Sequence, residues 1–165
     1  MNIRVTGPAV VAVGLMAVVP FSVASADGPV ATTSHYEGTD VLVDCGSFRV
    51  LDVYSQDQTE KAWLDQDGNL LKVIIENTGT DTFTNSVTGT AYPMSFHNTY
   101  VVDFTTTPRR SALMGVVYRL VVPGAGAVWL DVGRVVFERG VGIVFQAGPH
   151  QFFDGDEAAL CAAME

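Results

Sequence analysis

From Ser111 to Glu138 the chain reads SALMGVVYRLVVPGAGAVWLDVGRVVFE, apolar β-branched and aromatic residues alternating with small or polar ones around one Pro-Gly turn. A period of two buries one face of an extended strand and wets the other, so this pattern excludes a helical domain before anything else is considered. The same alternation recurs along most of the sequence, broken at roughly 8- to 15-residue intervals by Gly, Pro, Asn and Asp. Strands are expected over 42–54, 59–65, 69–78, 80–86, 95–105, 111–122, 126–139 and 141–148, with "DQDG", "NSVTG", "TTTPRR", "VPGAG" and "RG" as separators.

Eight short-looped antiparallel strands close most simply into an up-and-down, lipocalin-like barrel, because closure removes the exposed sheet edges. A two-sheet β-sandwich is the alternative. Gly133, inside "WLDVGRVVF", marks an expected bulge or bend. Residues 41–165 form one domain on this reading, and 27–40, which lack periodicity, form a loose leader. The last stretch, "DGDEAALCAAME", departs from the β pattern and predicts a short helix holding Ala158, Leu160, Cys161 and Met164, capped by Asp154 or Asp156.

Arg4, the apolar run from Ala9 to Val19 and Ala24-Ser25-Ala26 have the form of a secretory signal peptide over 1–26. The apolar run is shorter than the ~20 residues of a membrane span, and no second long run follows. Export to the extracellular space is therefore expected. It also bears on Cys45 and Cys161, which in an oxidising compartment are read as one disulfide. A reactive thiol or a metal pair is the alternative, without a CxxC or a neighbouring His to support it. The formal charge of −9 repels nucleic acid and anionic membranes, and Arg109-Arg110 is the one basic cluster.

Asp65, Asp67 and Asn69 in "LDQDGNLL" are spaced like the first ligands of a calcium loop. Leu70, however, stands where such a loop needs its glycine, and Glu76, at the twelfth position, closes an apolar strand segment. Asp-Gly between alternating apolar segments predicts a hairpin, with both central residues of a type I′ turn at positive φ. His35, His97 and His150 form no metal pair, and Ser55, Ser95 and Ser111 lie in no nucleophile motif. His150 with Asp154 and Asp156 is read as a polar connection into the helix. The pairs Asp52 with Asp131 and Asp40 with Asp44 have acid–base potential if the fold brings them together.

Polar residues on otherwise apolar faces carry more information: Asp52 between Val50 and Tyr54, Asn98 between Phe96 and Tyr100, and Asp131 beside Trp129. The faces themselves are Phe96, Tyr100, Val102 and Phe104; Met114, Val116, Tyr118, Leu120 and Val122; and Val141, Ile143, Phe145 and Ala147. Tyr100, Met114, Tyr118, Trp129, Phe145 and Asp131 are thus the candidate interior or ligand-lining residues. The expected function is non-catalytic, the binding of a small apolar molecule or an extracellular partner, with no cofactor. The alternatives are a barrel enzyme of isomerase or cyclase type on a hydrophobic substrate, and an interaction protein with a filled interior.

Five segments together, "DCGSFRV", "DQDGN", "FTNSVTG", "VPGAGAVWLDVGRVVFE" and "AGPHQFFDGDEAALC", resemble a group of small secreted actinobacterial β proteins. The resemblance runs from Asp44 to Cys161 and implies a signal peptide, a cysteine near each end and the D-x-D-G-N turn. It implies no catalytic residue, cofactor or partner, since no function is established for the group. Leu64 departs from it, an aromatic residue often preceding the first Asp of the turn.

Overall fold

The computed structural model describes residues 28–124, 126–151 and 157–165. Seven strands form one antiparallel sheet in sequence order: β1 (Val30–Asp44), β2 (Arg49–Leu64), β3 (Leu70–Asn85), β4 (Ala91–Asp103), β5 (Arg110–Val122), β6 (Gly126–Glu138) and β7 (Gly142–Ala147). A helix, α1 (Ala158–Met164), follows. The all-β meander with a terminal helix is as expected, but the strand count is seven, all in one sheet rather than two. Neither is closure seen: among the described residues β1 pairs only with β2 and β7 only with β6.

The differences have local causes. Thr32, Thr33, Ser34, His35 and Tyr36 look aperiodic because an edge strand exposes both faces, yet they pair in register with β2, so the expected leader is strand β1. Polar Ser55 to Gln58 resembles a break, yet lies mid-strand in β2 and is paired on both sides. Gly79 resembles a turn, but β3 runs through it, opposite Gln56 and Phe96. A Cβ at Gly79 would strike the Ser55 carbonyl and the Phe96 ring, so the glycine lets strands and ring approach closely.

The sheet is strongly coiled. In a flat sheet, three strand spacings of about 4.8 Å would set β3 and β6 about 14 Å apart. The rings of Phe83 on β3 and Trp129 on β6 are 6.1 Å apart, and Tyr118 on β5 stacks on Trp129 at 5.1 Å. Only inward curvature brings those faces together. Two devices supply it: a bulge between Val116 and Tyr118, and Gly115 paired with Gly133, with φ of 112° and 129°. Side chains there would strike the backbone of His97 and Ala147. The expected bend at Gly133 is therefore present.

The concave face holds the core. Val43, Val50, Phe83, Met94, Leu120 and Trp129 pack together with Leu160 and Met164 of α1 at one end of the curl. The Cys45–Cys161 disulfide ties α1 to the β1–β2 turn, and Asn85 Nδ2 donates to the Met164 carbonyl at 2.8 Å, tying its other end to the β3–β4 turn. Glu157 occupies the N-cap position without a capping side-chain bond, while Asp154 and Asp156 lie outside the described residues, as does segment 1–26. No helix among the described residues is long and apolar enough to cross a membrane.

At 64–70 the turn reading holds in its main point. Asp65 Oδ1 accepts from the amides of Asp67 and Asn69, and Oδ2 from the Asn69 side chain, which holds this exposed carboxylate below the usual range. Gly68 alone has positive φ, 83°, so the loop is a three-residue connection ending in a left-handed glycine rather than type I′.

Candidate functional site: a polar layer on the concave face

Residues directly opposite in a ladder share a face, so the register assigns every side chain to the concave or convex side. Asp40 stands opposite Asp52, Asp52 opposite Phe83, Tyr54 opposite Asp81, Asp81 opposite Met94, and Tyr118 opposite Asp131. All these belong to the concave face. Next to the aromatic cluster of Phe83, Tyr118 and Trp129, the curl therefore brings together carboxylates from β1, β2, β3 and β6. Asp52 is 8% exposed, Asp81 4% and Asp131 1%, whereas Asp40 on the edge strand is exposed.

The electrostatics follow from this placement. Burial pushes Asp52 up to about 6, with the Asp40 charge adding to it. Burial and then the Asp52 charge push Asp81 up to about 7. The Tyr118 phenol is raised by burial first, and further by Asp52, Asp81, Asp131 and Asp40, so four carboxylates act on one hydroxyl. Asp52 Oδ1 is buried and makes no hydrogen bond among the described residues. Counter-charge lies elsewhere. Arg49 pairs with Asp44, Lys61 with Glu76 and Arg110 with Glu138, while Lys72, Arg109 and Arg134 lie over Trp63, Phe104 and Phe145. Arg119 and Arg139 are exposed.

One imidazole reaches the layer. His150, 4% exposed, follows β7 and makes an isolated bridge to Asp131. Its Nδ1 is 3.0 Å from Asp131 Oδ1 and its Nε2 3.2 Å from the Ala147 carbonyl oxygen. Farther along the same face, Asn77 Nδ2 donates to Asn98 Oδ1 at 3.0 Å.

The structure divides the candidate residues. Tyr118, Trp129 and Asp131 come together on the concave face; Tyr100 is on that face too, half-buried and nearer the other end. Met114 and Phe145 are corrections. The bulge after Val116 inverts the alternation of β5, so Leu113 and Gly115 point inward and Met114 stands on the convex side, opposite Arg134. Phe145 is opposite Val136, is 49% exposed and lies under the Arg134 guanidinium. Asp52 and Asn98 are both buried, and Asp52 and Asp131 both act on Tyr118, whereas Asp44 faces Arg49.

Asp81 is the residue that sequence reasoning missed. The positions Val73, Ile75, Asn77, Gly79, Asp81 and Phe83 form one alternating series, and ending a strand before Gly79 hid its polar members. Outside this layer, an open groove of about 480 Å³ crosses the convex side of β1–β3, lined by Glu37, Thr39, Val53, Ser55, Thr80 and Thr82 among others. Among the described residues no three His, Cys, Asp or Glu side chains gather closely enough to hold a metal ion. No protein-family model matches the chain, and neither a curated protein nor a solved structure is similar to it.

Proposed function

We propose that this chain is an exported β protein, one of the small secreted β proteins it resembles, that binds a small, predominantly apolar molecule on its concave face without transforming it. The observation that carries the reading is the layer itself: a few convergent polar groups, Asp52, Asp81, Asp131 and the Tyr118 phenol, set among Phe83, Met94 and Trp129. Binding sites for small organic molecules have this composition, an apolar lining with sparse orienting polar groups. The outer edge of β1, which no other described strand pairs, supports access, because Tyr36 and Asp40 belong to the concave side and are exposed among the described residues. On this reading the sheet works as an incomplete lipocalin-like barrel with α1 stapled across one end. The disulfide and the apolar segment Ala9 to Val19 support an extracellular setting.

A second reading, an acid–base enzyme, is favoured by one observation, that Asp52 and Asp81 sit at about 6 and about 7 close to a buried Tyr. Carboxyl groups poised near neutrality serve proton transfer. Equilibrium titration with a neutral apolar fluorophore, N-phenyl-1-naphthylamine, tests the binding reading. Saturable binding by the wild type that weakens in folded Tyr118→Ala is the expected result. Absence of saturable binding by the wild type contradicts the proposal.

A further inference from the structure

The concave layer has an electrostatic imbalance that an uncharged guest would not correct. Two buried carboxylates lie diagonal to one another, Asp52 opposite Phe83 and Asp81 two positions from it, and an exposed third, Asp40, stands opposite Asp52 at the edge. Asp52 Oδ1, in a residue 8% exposed, makes no hydrogen bond among the described residues. No described Lys or Arg is paired with any of the three: each is engaged with another acid, lies over a ring, or is exposed. His150 is directed at Asp131. Against these carboxylates stand the rings of Phe83, Tyr118 and Trp129, with centroids within 5.1 to 6.1 Å of one another.

Buried carboxylate charge beside aromatic rings is the complement of an organic ammonium group. The acid groups supply charge and hydrogen-bond acceptors, and the rings offer both apolar contact and a negative face to the cation. A divalent metal fits less well, since no trio of His, Cys, Asp or Glu side chains converges among the described residues. A neutral apolar guest would leave Asp52 buried without a partner.

Resting on the binding reading above, we infer that the ligand is an amphipathic amine, its ammonium held between Asp52 and Asp81 and its apolar part lying along Tyr54 and Tyr118, which are both partly exposed on this face. Asp40, exposed beside Asp52, draws the cation in from the open β1 side. Because the buried pair holds protons near neutrality when empty, binding displaces them, and affinity rises as the medium becomes more alkaline. Tyr54 opposite Asp81, Tyr92 opposite Phe83, Tyr118, Asp40, Asp131 and His150 are the other titratable groups on this face around the pair, and Asp40 and Asp131 add to the attraction whenever ionised.

Calorimetric titration with octylammonium and with 1-octanol, at pH 8 and pH 5, tests the inference on the full chain. Octylammonium is expected to bind at least about tenfold more tightly than octanol at pH 8, and to lose most of that advantage at pH 5. The double variant Asp52→Asn/Asp81→Asn removes buried charge, so it is expected to keep the wild-type circular dichroism spectrum and to bind the two equally. If octanol binds the wild type as tightly as octylammonium at pH 8, the amine is wrong and the binding reading stands. If neither binds, both fall. An octylammonium preference that survives in the folded double variant removes the site from Asp52 and Asp81 and overturns the inference.

Discussion

Replacing Asp52 and Asp81 together by Asn should make the protein more stable at pH 8 and abolish most of its pH dependence between about pH 4 and 7. In the folded chain Asp52 and Asp81 are raised from 3.8 to about 6 and about 7. The folded state thus keeps protons that the unfolded chain has already released. Where the folded state binds more protons, stability falls with rising pH. The contribution is complete below about pH 4, is lost as pH climbs through about 6 and then about 7, and is flat beyond. Each tenfold weakening of a carboxyl acid on folding corresponds to about 1.4 kcal/mol, so the two rises set an upper figure of about 7 kcal/mol, which residual solvent screening of the two carboxyls reduces to on the order of 3–5 kcal/mol. His35, raised by exposed Asp57 and Glu37, slopes the same way, so a small decline persists in the variant. Asp65 and Asp103, held low by turn hydrogen bonds, bend the curve down only in stronger acid. Urea unfolding followed by tryptophan fluorescence from pH 4 to 9 measures all of this. A wild type whose stability is flat or rises from pH 4 to 8, or a double variant less stable than wild type at pH 8, would refute the reasoning.

Three further outcomes test the fold. Tyr118→Ala removes a ring packed on both Phe83 and Trp129 and should cost on the order of 3–5 kcal/mol in urea unfolding; a loss below about 1 kcal/mol means that the cluster is not packed. Gly133→Ala places a methyl against the Ala147 carbonyl at a φ of 129°, with an expected loss of about 1–3 kcal/mol, whereas an unchanged midpoint would remove the bend. Cys45→Ser/Cys161→Ser opens a link between residues 116 apart in sequence, and an upper figure of about 4–5 kcal/mol is expected; non-reducing peptide mapping of the wild type should find the cross-link, and two free thiols would contradict it.

Much of the sheet was legible because alternation reports burial, and burial on one face is what a coiled antiparallel sheet imposes. Leu120, Val122 and Trp129 are buried on the face that the pattern assigned, and Cys45 meets Cys161. Legibility failed where a local signal has two physical uses. Glycine both ends strands and permits backbone to approach backbone, so Gly79 looked like a terminus when it is a point of close packing. A bulge changes the parity of everything beyond it without leaving a distinctive residue behind, which is why Met114 and Tyr118, four apart in sequence, stand on opposite faces. An edge strand need not alternate at all, and β1 did not announce itself. The polar layer was half visible: Asp52, Asn98 and Asp131 stood out against apolar neighbours, but Asp81, flanked by Thr on both sides, did not.

The account depends on the coiling that brings β3 and β6 together across the concave face, since without it the carboxylates lie apart on an open sheet. Nuclear Overhauser spectroscopy of aromatic side chains measures this directly. With the Phe83 and Trp129 ring centroids 6.1 Å apart and Tyr118 stacked on Trp129, cross-peaks are expected from the Phe83 ring protons to the Trp129 indole protons and to the Tyr118 ring. A flat sheet sets those strands about 14 Å apart, beyond the reach of the effect. Cross-peaks from Phe83 to its β2 and β4 neighbours, with none to Trp129 or Tyr118 in the folded protein, would contradict the coiled sheet and the site built on it.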